Sequence, residues 1–296
     1  MVLENIISPE GVRKNPKDML VLGVLYAIIA IVLAYFIFPS DPSLSIIFLT
    51  TIAALPLMIH VLEDEAAEEM TYIEKIKDLP LIGKHLDVFL DFAYLFVGFL
   101  ICFLIVYILA PASLNNLFFS KQIETIQSIL GPTGFFGADI NTAATFSAEE
   151  GLKIIMLNNF KVLLFSLLFS FLYGAGAIFI LSWNASVLAV AMGNFIKSKI
   201  ADLGVLTGLD LFSAYFQAGS LSLLKYMIHG IPELSAYFLG AVAGGIISAA
   251  VVRSDYRDSK FYDILLDSVD LIALASLLLI IGALIEVSIT PMLMIR

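Results

Sequence analysis

"MIHGIPELSAYFLGAVAGGIISAAVV", residues 227–252, sets His229, Pro232 and Glu233 at the mouth of a run with no other charge. Whether a helix begins there or passes through decides how the chain divides into spans. Proline has no N–H to donate, so Pro232 suits a first helical turn better than a helix interior. On that reading His229 precedes the helix. Glu233 sits in its first turn, where exposed amides favour a carboxylate by about 0.3–1 kcal/mol.

Around this stretch the composition leaves one class. The chain has 296 residues, 60% of them hydrophobic and 14% charged, with a mean hydropathy of +0.99. Charges are absent from 19–40, 92–120, 162–196 and 234–252, and about 20 such residues suffice to cross a bilayer. The expected fold is an all-α polytopic membrane protein of about seven transmembrane helices plus a short re-entrant or half helix. The spans are read as 19–38, 43–62, 88–110, 160–183, 209–228, 233–252 and 264–290.

The remaining stretch, 184–204, has only about 13 residues before Lys197, which suits a half helix better than a crossing. Charge bias supports that choice. If 184–204 dips and returns and the N-terminus is cytoplasmic, the cytoplasmic segments hold 11 of the 16 basic residues, Lys197, Lys199, Arg253, Arg257 and Lys260 among them. If it crosses, those five move outside and the bias disappears. The run after Lys17 is about 20 residues long and lacks a cleavage pattern, so it reads as a retained first span and not a cleaved leader.

The chain reads as a single membrane domain over 1–296. Two loops are long enough for structure of their own. In 63–87, cytoplasmic on this reading, "EDEAAEE" carries five of the carboxylates behind the net charge of -10. Met70, Ile73, Ile76 and Leu79 there are spaced for a short amphipathic surface helix. In the external loop 111–157, Ile123, Ile126 and Leu130 share a helical face, and "SAEE" offers Ser147 and Glu150 as a capping box that starts a helix at Ala148. The lone Cys102 excludes an intrachain disulfide. An acidic, apolar chain of this kind excludes nucleic acid as a partner.

Polar groups inside a bilayer are costly, so each is a functional candidate. The candidates for a polar intramembrane network or binding site are Asn158, Asn159, Asn184, His229 and Glu233. The plainer reading makes His229 and Glu233 an interfacial cap. A zinc site would need three ligands, and no HExxH or HxxEH pairing occurs, so neither metal nor cofactor is expected and no catalytic residue is assigned. Asp263, Asp267 and Asp270 share one face near the start of the last span. With Arg253, Arg257 and Lys260 nearby the plainer reading is an interfacial charge cluster, and the functional one is a cation or proton entry that Glu286 could continue. Glu286 is 16 residues beyond Asp270, about 24 Å of helix, too far for a relay along that helix alone. Ala236, Gly240, Gly244 and Ser248 recur every fourth position and build a flat ridge for a close helix contact, within a protomer or between two. Gly174 and Gly176 offer the same to the preceding span, or let it bend.

"NNF" at 158–160, "YGAGAIFILSWNAS" at 173–186, "MGNFI" at 192–196 and "HGIPELSAYFLGAVAGG" at 229–245 follow in that order. Together they resemble the stage II sporulation protein M family of integral membrane proteins. In that family an Asn-Asn pair opens a span, a Gly-x-Gly pattern and an Asn follow, and a His-Gly-x-x-Glu-Leu stretch leads into a small-residue helix. The resemblance covers a core of 158–253. The family's Asn-Gly stands here as Asn184-Ala185, and the acidic loop is more similar to archaeal-type members. In endospore formers the named member is a scaffold in a complex with peptidoglycan-degrading partners; the resemblance implies the broad family and not a role in spores. Paired-glutamate intramembrane proteases need an arginine four residues after the glutamate pair, and Ile73 stands there.

The first expectation for function is therefore a non-enzymatic membrane scaffold or assembly protein. The second is a transporter or channel whose polar pathway runs near Asn158, Asn159, Asn184, His229 and Glu233. An intramembrane metalloenzyme comes third. The expected partners are the lipid bilayer and either a second copy or another membrane protein. The expected location is the cell membrane, multi-pass, with a cytoplasmic N-terminus.

Overall fold

Inside a bilayer a backbone can pair only with itself, so charge-free runs of this length become helices. The computed structural model describes residues 17–76, 83, 85–130, 148–173, 176–204, 207–252 and 261–289. The described residues form α1 (Lys17–Ile37), α2 (Pro42–Ile76), α3 (Leu86–Leu109), α4 (Ala112–Phe118), α5 (Ser120–Leu130), α6 (Ala148–Tyr173), α7 (Ala177–Asp202), α8 (Gly208–Val252) and α9 (Phe261–Ser288). Seven of these, all but α4 and α5, are long and apolar enough to cross a membrane. The all-α, seven-helix expectation holds, but the boundaries within it move.

Contacts between helix ends orient the bundle. Tyr35 at the end of α1 packs edge-on against Phe118 of α4, with ring centroids 5.9 Å apart. Ser43 at the start of α2 donates to Gln122 of α5 at 2.8 Å. Tyr107 near the end of α3 donates to Asn194 of α7 at 2.5 Å, and Lys197 donates to the Ala110 carbonyl at 3.2 Å. These groups share one end of the bundle, called here the far end, and the start of α1 marks the near end.

α7 and α8 form an antiparallel hairpin whose connection lies at the far end. Ser222 and Tyr226 of α8 donate to the carbonyls of Met192 and Ala191. Small residues set the closest approaches elsewhere. Gly23 of α1 and Gly98 of α3 face one another, and a Cβ on Gly23 would stand 2.6 Å from the Leu95 carbonyl oxygen. On α8, a Cβ on Gly240 would meet Leu163 and one on Gly244 would meet the Leu167 carbonyl of α6. The ridge of Ala236, Gly240, Gly244 and Ser248 is buried. Gly240 and Gly244 within it seat α8 on α6 of the same chain.

Four expectations change. The stretch 184–204 is not a separate half helix: 184–202 continue the helix that starts at Ala177. α6 is described to Tyr173 and α7 starts at Ala177 behind Gly176; Gly174 lies outside the described residues. Spans 209–228 and 233–252 are one helix of 45 residues with Pro232 inside it. Pro232 leaves the Ile228 carbonyl without its intrahelical donor, a loss that membrane helices tolerate when neighbouring groups re-satisfy it. His229 therefore does not precede a helix. It lies one turn before Glu233 on a shared face.

Residues 63–76 continue α2 and do not start a new surface helix; Leu79 lies outside the described residues. Lys197 and Lys199 lie at the far end and not with the start of α1. By contrast α6 starts at Ala148 as expected, and Ile123 and Ile126 of α5 pack against the core.

Candidate functional site

The site is where α6, α8 and α9 meet. α8 carries Lys225, His229, Glu233 and Tyr237 at intervals of four, which puts them on one helical face over about 18 Å. Lys225, His229 and Tyr237 are buried and Glu233 is half-buried. α6 brings buried Asn159, whose side-chain amide donates to Glu233 Oε1 at 2.6 Å. α9 brings buried Glu286, whose carboxyl lies beside that of Glu233. One turn earlier on α9, Gly282 has no side chain, and the Glu233 chain lies over it. A Cβ there would stand 2.8 Å from Glu233 Cγ and 3.3 Å from the His229 carbonyl oxygen.

Two carboxyl groups share a hydrogen bond only if one of them carries the proton, because a carboxylate is acceptor-only. The pair can hold a proton between α8 and α9, and Glu233 accepts the Asn159 amide from α6. Tyr237, one turn nearer the α8 C-terminus, sits in the field of both carboxyls. On the other side His229 sits in the field of Lys225. The Lys225 ammonium rests 4.7 Å from the Phe195 ring centroid and 5.3 Å from that of Tyr226, a cation–π seat in an apolar wall.

Helix register gives the depth. Ser222 binds Met192, and the adjacent Gly193 lies against the Tyr107 ring at the end of α3. Glu233, eleven residues further, is about 16 Å below that level. Val252 is about 28 Å further on. The carboxyl pair is thus interior to the bundle.

Of the five candidates, the structure joins Asn159 and Glu233 directly and places His229 one turn away. Asn158 is exposed and reaches only Asn159, at 3.4 Å. Asn184 is elsewhere and donates back to the Ile180 carbonyl of its own helix at 2.7 Å. Lys225, Tyr237 and Gly282 were missed, and Glu286 was weighed only as a distant continuation of the aspartate cluster on its own helix, not with Glu233. The i, i+4 series Lys225–His229–Glu233–Tyr237 was visible in the sequence, but a helix boundary at Pro232 hid it. Asp267 and Asp270 lie on α9 toward the near end, and their basic neighbours at 253–260 lie outside the described residues. Among the described residues no group of three His, Cys, Asp or Glu gathers as a metal site.

A model of the stage II sporulation protein M family matches residues 92–291, which contain the whole of this three-helix junction. The chain belongs to that family. No curated protein and no solved structure matches it. Within this stage II sporulation protein M family member, the family match begins inside α3 and leaves out α1 and α2.

A second polar pair lies at the near end. His85 Nδ1 and Glu65 Oε1 are 2.9 Å apart and both residues are buried. Glu65 comes from the extended lower part of α2, and His85 precedes α3, so the pair ties two helices across their connection. Sequence reading had placed Glu65 in a solvated acidic loop.

Proposed function

We propose that this chain is a non-enzymatic membrane transport protein whose working step is binding and release of a proton at Glu233 and Glu286. The observation that carries the reading is the adjacent carboxyl pair of Glu233 and Glu286, held from three helices in the interior of the bundle. Stability alone does not account for it. A charged residue at the centre of a span costs about 2.5–3.5 kcal/mol on insertion scales. One hydrogen bond to a charged group returns about 1.5–3 kcal/mol. Ionised together, two buried carboxylates with one amide donor are a net cost that apolar side chains would avoid.

A proton-linked role also uses the geometry. Removing the proton sets two carboxylates against each other between α8 and α9, which drives those helices apart. That is a differential interaction able to shift a conformational equilibrium. The test is proton flux into liposomes holding the purified protein, read by an entrapped pH dye under an imposed gradient. Wild type should dissipate the gradient, and Glu233→Gln and Glu286→Gln should each abolish most of that flux. Wild type that is as tight as empty liposomes would sink the reading.

A second reading, a membrane assembly protein without transport, is favoured by one surface. Leu209, Phe212 and Phe216 of α8 are 85%, 70% and 68% exposed, and by register they project past the end of α3. Such a face suits a helix of a second copy or of another membrane protein. Purified protein that is monomeric and recovers no partner on cross-linking would count against it. For orientation, nine of the 16 basic residues fall in segments joined to the near end: Arg13, Lys14, Lys17, Lys75, Lys77, Lys84, Arg253, Arg257 and Lys260. The positive-inside rule then favours a cytoplasmic N-terminus in the cell membrane.

A further inference from the structure

Four buried side-chain atoms among the described residues have no hydrogen-bond partner, and two of them, Ser166 Oγ and Ser170 Oγ, lie together on α6. Both serines are 0% exposed. A serine or threonine in a membrane helix ordinarily bonds the carbonyl four residues back. Here Ser45, Thr50, Thr51, Ser276 and Ser288 all do so. Ser166 and Ser170 do not. They are one turn apart and follow Asn159 by seven and eleven residues, which places them on its side of α6, about 10 and 16 Å further toward the near end.

The surface opposite Ser170 is the backbone of Gly244. The Cβ that Gly244 lacks would lie 3.0 Å from Ser170 Cβ, so Ser170 faces the α6–α8 seam. Ser248, one turn beyond Gly244, is a further buried hydroxyl on α8. From Glu233 and Glu286 the seam thus carries Asn159, then Ser166, then Ser170 and Ser248 toward the near end. The opposite direction along α8 leads through His229 to Lys225.

We infer that the α6–α8 seam is a water-accessible half-pathway from the carboxyl pair to the near end, in which Ser166 and Ser170 bind the water that conducts the proton. This rests on the proton-transport reading above. No covalent step is involved: the proton leaves the carboxyl pair along hydrogen-bonded water, and the hydroxyls accept and donate to that water without changing charge. Gly240 and Gly244 hold α8 close against α6 along this seam, and a side chain at either would force the two helices apart.

The test uses full-length protein in liposomes, with Cys102→Ser as background and Ser166→Cys or Ser170→Cys introduced singly. A small charged methanethiosulfonate is the probe. Only the thiolate reacts, and it forms only where water reaches, so both seam thiols should react about tenfold faster than the thiol of Leu168→Cys on the exposed side of α6. Flux is measured in parallel. Flux in wild type with both seam thiols as inert as the control overturns the half-pathway and leaves proton transport standing. Reactive seam thiols without flux support the water-filled seam and remove the transport reading. Ser166→Ala and Ser170→Ala guard against a folding artefact. They delete groups that bond nothing in the protein, so melting temperature should hold while flux falls severalfold, and unchanged flux in the double variant overturns the role of the hydroxyls.

Discussion

Two asparagines separate what a residue's type reveals from what its surroundings add. Asn159 and Asn184 looked alike as amides in apolar spans. The structure gives Asn159 a carboxyl partner at 2.6 Å on another helix, whereas Asn184 returns its N–H to its own helix. Asn159→Ala removes a donor to a charged group and should cost about 1.5–3 kcal/mol, seen as a lower melting temperature in detergent. Asn184→Ala deletes a local back-bond and should stay within about 0.5 kcal/mol. Equal shifts for the two would contradict the placement. That polar residues of this kind matter was legible from the cost of burying them. Which ones converge was not, because Asn159, Glu233 and Glu286 are 74 and 53 residues apart in sequence and meet only through packing of α6, α8 and α9.

Glycines show the same division at the scale of a helix. The four-residue spacing of Gly240 and Gly244 was legible as a packing ridge, and α6 occupies it. Gly23 and Gly98 carry no such spacing signal, yet they bring α1 and α3 into backbone contact. Gly98→Leu must push apart two backbones and should destabilise by about 1–3 kcal/mol or more, read as a lower melting temperature. Gly219 in α8 has nothing within 4 Å of its absent Cβ. There Gly219→Ala adds only helix propensity and should stabilise by about 0.5–1 kcal/mol. A destabilised Gly219→Ala would show that this part of α8 is covered, as the assembly reading requires. Helix ends were the least legible features. Gly230 and Pro232 are boundary signals in water, but in a bilayer the cost of freeing backbone groups keeps the helix running through them. Gly176, read with Gly174 as a packing or bending device, instead directly precedes α7.

At the scale of the whole molecule, two boundary errors cancelled in the count and not in the topology. Treating 184–204 as a half helix removed one crossing, and dividing α8 at Pro232 added one, so seven spans resulted either way. The segment after Val252 came out at the near end both times. Only the α7–α8 connection changed sides, carrying Lys197 and Lys199 with it. Those lysines had supported the half helix by the positive-inside rule. In the structure Lys197 binds the Ala110 carbonyl and Lys199 stands over the Phe195 ring, 5.8 Å from its centroid, so local partners hold both at the far end. Three single cysteines in a Cys102→Ser background decide the matter. Leu203 is exposed in the α7–α8 connection, Ser128 is exposed on α5, and Gly83 is exposed before α3. An impermeant maleimide applied to one face of sealed vesicles should label Leu203→Cys and Ser128→Cys together and spare Gly83→Cys, and reversed vesicles should invert the pattern. If Leu203→Cys instead labels with Gly83→Cys, α7 does not cross. The Lys225–His229 face of α8 would then open toward the near end, and the proton path would have no route to the far side.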